Sequence, residues 1–275
     1  MMLPVLAAFA LVAQTPDQIT SQLRTGKLDW QAVAKNLRAS DPGQEGPCSN
    51  NIKPCYVERV ELAQPAHQVI LVVFDEHDRQ AYLSFMQARL TGVYFAAART
   101  RRPGYRIDNG FLRVPSLGVR GSDWNSEPEA WLELGNAPFR PVLSINRTAR
   151  ENANGFGITT DIMSHAEPVN GNEIQQRVHI EMSLLGHLLG SRTYWATYVR
   201  TRAGDPFQLR SVSLDRQGKV TVSRTEFQML TEISVDEVPG RQKRLVKLVA
   251  TQLRALAQRE PDLRDTIAEI VARQK

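Results

Sequence analysis

Cysteine is scarce: the 275 residues hold two, Cys48 and Cys55. Four-cysteine zinc ribbons and disulfide-dense miniature scaffolds are thereby excluded. The five histidines, His67, His77, His165, His179 and His187, include no H-E-x-x-H and no pair at the i, i+4 spacing that turns two imidazoles toward one metal. The nucleophile and phosphate motifs G-x-S-x-G, S-x-x-K, the P-loop and G-x-G-x-x-G are absent as well. Convergent triads need no local motif, so this lowers the case for a hydrolase without removing it. No apolar run reaches the roughly 20 residues of a membrane-spanning helix.

What is present reads as a globular protein. The 42% hydrophobic and 23% charged fractions match folded domains, and the length allows one large domain or two modest ones. A net charge of +5 and a pI of about 9.4 permit an anionic partner. Specific nucleic-acid recognition is not expected from so mild a bias.

Residues 3–13, LPVLAAFALVA, have the length and composition of a secretory h-region, with small residues ending cleavage sites after Ala13 or Ala10. The expectation is an exported protein, periplasmic or extracellular, whose mature chain starts near Gln14 and carries no transmembrane segment. In that compartment Cys48 and Cys55 of PCSNNIKPC pair as a disulfide that pins a loop. A redox pair needs C-x-x-C, which the spacing does not supply.

Periodicity organises the rest. Thr15-Pro16-Asp17 opens a helix that Gly26 ends, and Asp29 caps a second one carrying Trp30, Val33, Ala34 and Leu37 on one stripe. Residues 14–55 thus form a helical segment and a strapped linker. From Tyr56 the apolar runs are short and separated by turn chemistry, which predicts a β-rich body over 56–230, divisible near 145. Its hairpins are Val69–Phe74 with Ala81–Met86, Tyr105–Ile107 with Phe111–Val114 about Asn109-Gly110, and Trp131–Leu134 with Pro141–Ile145. Further strands are Ile158–Met163, Gln176–Leu184, Thr193–Arg202, Phe207–Leu214 and Lys219–Arg224. In YWATYVRTR both strand faces carry aromatics, so neither declares itself as solvent. Residues 231–275 return to helical period, with Leu245, Leu248, Val249, Leu253 and Leu256 on one face of a basic helix. A second helix opens at Pro261 behind Glu260, and together they form an αα-hairpin. The fold class is α+β: a mainly antiparallel sheet body with short N-terminal helices and a C-terminal helical hairpin.

Candidate sites are few. Seven of the 34 basic residues are lysine and the other 27 arginine. Six arginines, Arg99, Arg101, Arg102, Arg106, Arg113 and Arg120, stand in one 22-residue stretch with Asp108 as its only acid. Guanidinium groups favour bidentate contact with carboxylate, phosphate or sulfate, so this segment is the expected binding surface for an anionic polymer, an anionic surface or an acidic protein. His179, Glu181 and His187 are a conceivable His–carboxylate–His cluster, and Asp75, Glu76, His77 and Asp78 a conceivable cation site. Each reads more simply as exposed polar residues. No cofactor or metal is implied. The functional expectation is a non-catalytic binding or envelope-associated module. The alternative is a secreted hydrolase drawing on Asp123, Glu127 or His179.

Overall fold

The computed structural model describes residues 14–39, 46–49, 54–63, 67–77, 79–97, 103–116, 124–135, 139–152, 158–231 and 241–272. The presumed leader at 1–13 lies outside them.

The N-terminal helices form where their caps dictate. α1 (Pro16–Arg24) begins in a capping box: the Thr15 hydroxyl accepts from Gln18 N–H, and the Gln18 amide oxygen accepts from Thr15 N–H at 2.8 Å. α2 (Trp30–Leu37) is capped by Asp29, whose carboxylate accepts from Ala32 N–H at 3.0 Å. Twelve strands follow: β1 (Cys55–Glu61), β2 (Gln68–Asp75), β3 (Arg79–Met86), β4 (Arg89–Ala97), β5 (Arg106–Asp108), β6 (Phe111–Pro115), β7 (Trp124–Glu133), β8 (Pro141–Asn152), β9 (Ile158–Asn170), β10 (Glu173–Leu184), β11 (His187–Val199) and β12 (Gln208–Ser213). Helices α3 (Arg224–Thr231), α4 (Arg241–Leu248), α5 (Ala250–Arg259) and α6 (Arg264–Ala272) close the chain. The strands build one four-stranded sheet, β1-β2-β3-β4, and one eight-stranded sheet, β12-β11-β10-β9-β8-β7-β6-β5, with antiparallel pairing throughout β1–β4, β5–β7 and β8–β12. This is the α+β architecture expected, and no helix among the described residues is long and apolar enough to cross a membrane.

The chain divides into two compact units. Unit 1 comprises 1–117, 129–145 and 201–206. Its four-stranded sheet is apolar on both faces, which is why β2 and β3 read as nearly continuous hydrophobic runs. Leu71, Val73, Leu83 and Phe85 pack under Ile19, Leu23, Trp30 and Val33, while Ile70, Val72 and Tyr82 pack against Leu112, Val114, Leu132 and Phe139. The Cys48–Cys55 disulfide ties the linker to β1, as the sequence led one to expect. Cys48 N–H donates to Asp75 at 2.9 Å and Trp30 Nε1 donates to the Pro47 carbonyl at 2.8 Å, fixing the strapped segment to both layers.

Unit 2 comprises 118–128, 146–200 and 207–275. Along β10 the side chains alternate without exception: Ile174, Gln176, Val178, Ile180, Met182 and Leu184 point inward and the residues at the alternate positions outward. The inward face meets Phe227, Leu230, Leu245, Val249, Leu253, Leu256, Ile267 and Ile270 of the helices. Three local readings differ from the structure. Lys219–Arg224 makes only a bridge, Ser213 with Thr221, because the chain turns at Asp215 and enters α3 at Arg224. The strand read from Thr193 begins at His187, since β11 pairs with β10 all the way to the turn. The last helix starts with a 3₁₀ turn at Pro261–Leu263, and the Glu260 side chain makes no capping bond.

Candidate functional site

Of the six arginines singled out, Arg99, Arg101, Arg102 and Arg120 lie outside the described residues, as does Asp123. The other two face each other across the expected hairpin, with Asn109 (φ 48°) and Gly110 (φ 82°) supplying the left-handed turn and Arg106 registered with Arg113. Neither is a free surface cation. Arg113 is 4% exposed and Glu129 1%. Arg113 donates to Glu129 Oε1 from Nε at 3.0 Å and from Nη2 at 2.8 Å, and to Asp108 from Nη1 at 3.2 Å. Arg106 reaches the other Glu129 oxygen at 3.4 Å. Trp131 Nε1 donates to the same carboxylate at 2.9 Å, and its ring lies 4.1 Å from the Arg113 guanidinium carbon. The sequence identified Asp108 but not Glu129, which arrives from the neighbouring strand β7. Arg113 thus belongs to a buried ion-pair network inside unit 1, with the half-exposed Arg106 at its edge.

Of the acidic cluster at 75–78, Asp75 is absorbed into the fold while Glu76 and His77 are exposed. Asp75 is buried and accepts from Cys48 N–H, His77 N–H and Arg79, so it anchors the β2–β3 turn; Asp78 lies outside the described residues. His179 and His187 are not brought together. His179 opposes Thr193, and His187 sits at the start of β11, six residues or about 20 Å further along the strand. His179 instead spans Thr193 Oγ1 (3.0 Å) and Glu181 (3.2 Å). Glu127 accepts from Thr148 at 3.1 Å, two strands away from His179 in the order β8-β9-β10. His67 opens β2, and His165 pairs with Glu167 at 3.0 Å. Among the described residues no group of three His, Cys, Asp or Glu is placed to hold a metal.

A different set of residues converges on the outward face of the unit 2 sheet. The alternation along β10 settles which side of YWATYVRTR is solvent: Tyr194 and Ala196 are in the core, so Trp195 and Thr197 point outward. Register then places His165 (β9), Arg177 (β10), Trp195 (β11) and Ser213 (β12) in one row across four strands, about 4.8 Å per step. Arg177 lies 6.0 Å and Arg216 5.5 Å from the Trp195 ring centroid, so two guanidinium groups approach the indole. Both arginines are exposed, and neither has a carboxylate within ion-pair distance among the described residues.

The turn that carries Arg216 is held firmly. The Asp215 carboxylate accepts from Val220 N–H at 2.6 Å and Lys219 N–H at 3.1 Å, and these backbone donors hold its pKa below the ordinary carboxylate value. Leu214 N–H bonds the Val220 carbonyl at 2.9 Å, closing the loop behind it. Beside the row stand the hydroxyls of Thr193, Thr197 and Ser211. The arrangement offers two exposed cations, an aromatic ring and hydroxyl donors on one sheet face, beside the hydrogen-bonded chain Thr193–His179–Glu181.

No protein-family model, no curated protein and no solved structure matches this chain.

Proposed function

We propose that the protein is a non-catalytic binding module that takes an anionic ligand on the outward face of its β9–β12 sheet. The observation carrying this reading is the pair of exposed guanidinium groups, Arg177 and Arg216, set against Trp195 and without acidic partners among the described residues. Arginines held against an aromatic ring lose less freedom on meeting a carboxylate, sulfate or phosphate than free ones do. A sheet surface open along its length suits an extended anionic polymer better than a small metabolite, which calls for a concave pocket. Export to the periplasm or the cell exterior fits the apolar leader and the single disulfide, and would bring the face to envelope or extracellular polyanions.

Retention on a sulfated or carboxylated polymer matrix tests the proposal. Wild type should elute late, and Arg177→Ala/Arg216→Ala early, with unchanged circular dichroism. Equal elution of the two would refute this face as the site.

A further inference from the structure

Helices α4 and α5 carry six basic residues between Arg241 and Arg259, namely Arg241, Lys243, Arg244, Lys247, Arg254 and Arg259, and no acid. That stretch exceeds the whole chain's formal excess of +5, so the rest of the molecule is close to neutral. The two helices run on through Val249, whose N–H bonds the Leu245 carbonyl at 3.3 Å while its own carbonyl accepts from Leu253 N–H at 2.8 Å. They form one kinked amphipathic rod. Leu245, Val246, Val249, Leu253 and Leu256 bury its inner side.

At about 100° per residue, Lys243, Lys247 and Arg254 fall within about 40° of one another on the opposite side, with Arg244 next to them. All four are exposed, and none makes an ion pair among the described residues. The helix dipole accounts for Lys247 and Arg259, which lie in the last turns of their helices. It does not account for Lys243, Arg244 and Arg254, which have no acidic partner among the described residues.

We infer that this stripe is a docking surface for a bilayer bearing anionic phospholipid headgroups. Charge complementarity identifies the occupant. The exposed side of the rod offers cations, amides and small residues, and residues 241–275 contain no aromatic side chain. Single-stranded nucleic acid is held by stacking on aromatics, which this surface lacks, whereas a headgroup layer is attracted by cations alone. Contact is peripheral, since the apolar side of the rod is already used in the core. The stripe lies on the side of the unit 2 sheet opposite Trp195, so the inference is independent of the ligand proposed there.

The test is co-sedimentation of the full chain with phosphatidylcholine vesicles containing either roughly a third phosphatidylglycerol or none. Each basic side chain at the surface strengthens partition about fivefold, so four of them should favour the anionic vesicles by on the order of several hundredfold at low salt. The preference should collapse as salt rises. Lys243→Gln/Arg244→Gln/Lys247→Gln/Arg254→Gln should abolish it, while Arg177→Ala/Arg216→Ala should leave it intact. Equal partition of wild type between the two vesicles overturns the inference without reference to any variant. So does binding of a short DNA duplex that the quadruple variant loses when vesicle binding is absent.

Discussion

Replacing Arg113 by Ala removes the centre of the buried network in unit 1. Glu129, 1% exposed, would lose the donors at 3.0 and 2.8 Å and keep Trp131 Nε1 and the more distant Arg106 at 3.4 Å. Breaking a buried pair from one side costs about 3 to 5 kcal/mol, because the remaining charge stays desolvated. The retained Arg106 places the expected cost near about 3 kcal/mol, including the lost stacking on Trp131. In a chain of this size that lowers the melting temperature by about 6 to 12 °C. Glu129→Gln should cost a similar amount, leaving Arg113 with Asp108 as its acid. The double replacement Arg113→Met/Glu129→Met should be milder than either single one, since apolar groups of similar volume need no partner. Urea denaturation followed by tryptophan emission supplies the three values. A loss below about 1 kcal/mol for Arg113→Ala, or a double variant as damaged as the sum of the singles, would refute the claim that the charges depend on each other.

Reducing the Cys48–Cys55 bond opens a loop with a sequence separation of seven, and should lower stability by about 2 to 3 kcal/mol; a titration of the denatured, unreduced protein should find no free thiol. Gly110→Ala places a side chain at φ 82° and should destabilise the β5–β6 hairpin by about 1 kcal/mol, read from the same denaturation curves. Asp215 has a lowered pKa, so its contribution is present above the ordinary carboxylate value and is lost as pH falls through the lower folded value. Protection of the Lys219 and Val220 amides, measured against an unstructured chain at the same pH, should therefore be high near neutrality and fall in acid. Asp215→Ala should show low protection at both pH values and weaker ligand retention through Arg216.

The caps of α1 and α2, the Asn109-Gly110 hairpin, the disulfide and the helical C-terminus were legible because each is written in a few adjacent residues. The face proposed for binding was not. Counting back from the Leu185-Gly186 turn pairs Met182 with Leu189 and so Arg177 with Tyr194, which is buried. The structure has a bulge between Met182 and Ser183 that shifts the register by one and brings Trp195 beside Arg177 instead. The strict alternation of β10 was the one available signal, since it marks Arg177 as outward. Arg216 reaches the ring from a loop beyond β12, and no periodicity places it. The partner of Arg113 was hidden for the same reason: Glu129 lies 16 residues beyond it and meets it only through strand pairing.

The salt dependence of polyanion binding tests the central claim most directly. Association of a sulfated polymer with wild type and with Arg177→Ala/Arg216→Ala should be measured across a range of salt concentrations. Each cation engaged contributes about one unit to the slope of log affinity against log salt. The account requires the variant to bind more weakly and with a slope shallower by about two units. Identical slopes and affinities would show that these guanidinium groups touch no ligand, and the outward face of the sheet would then not be the binding surface.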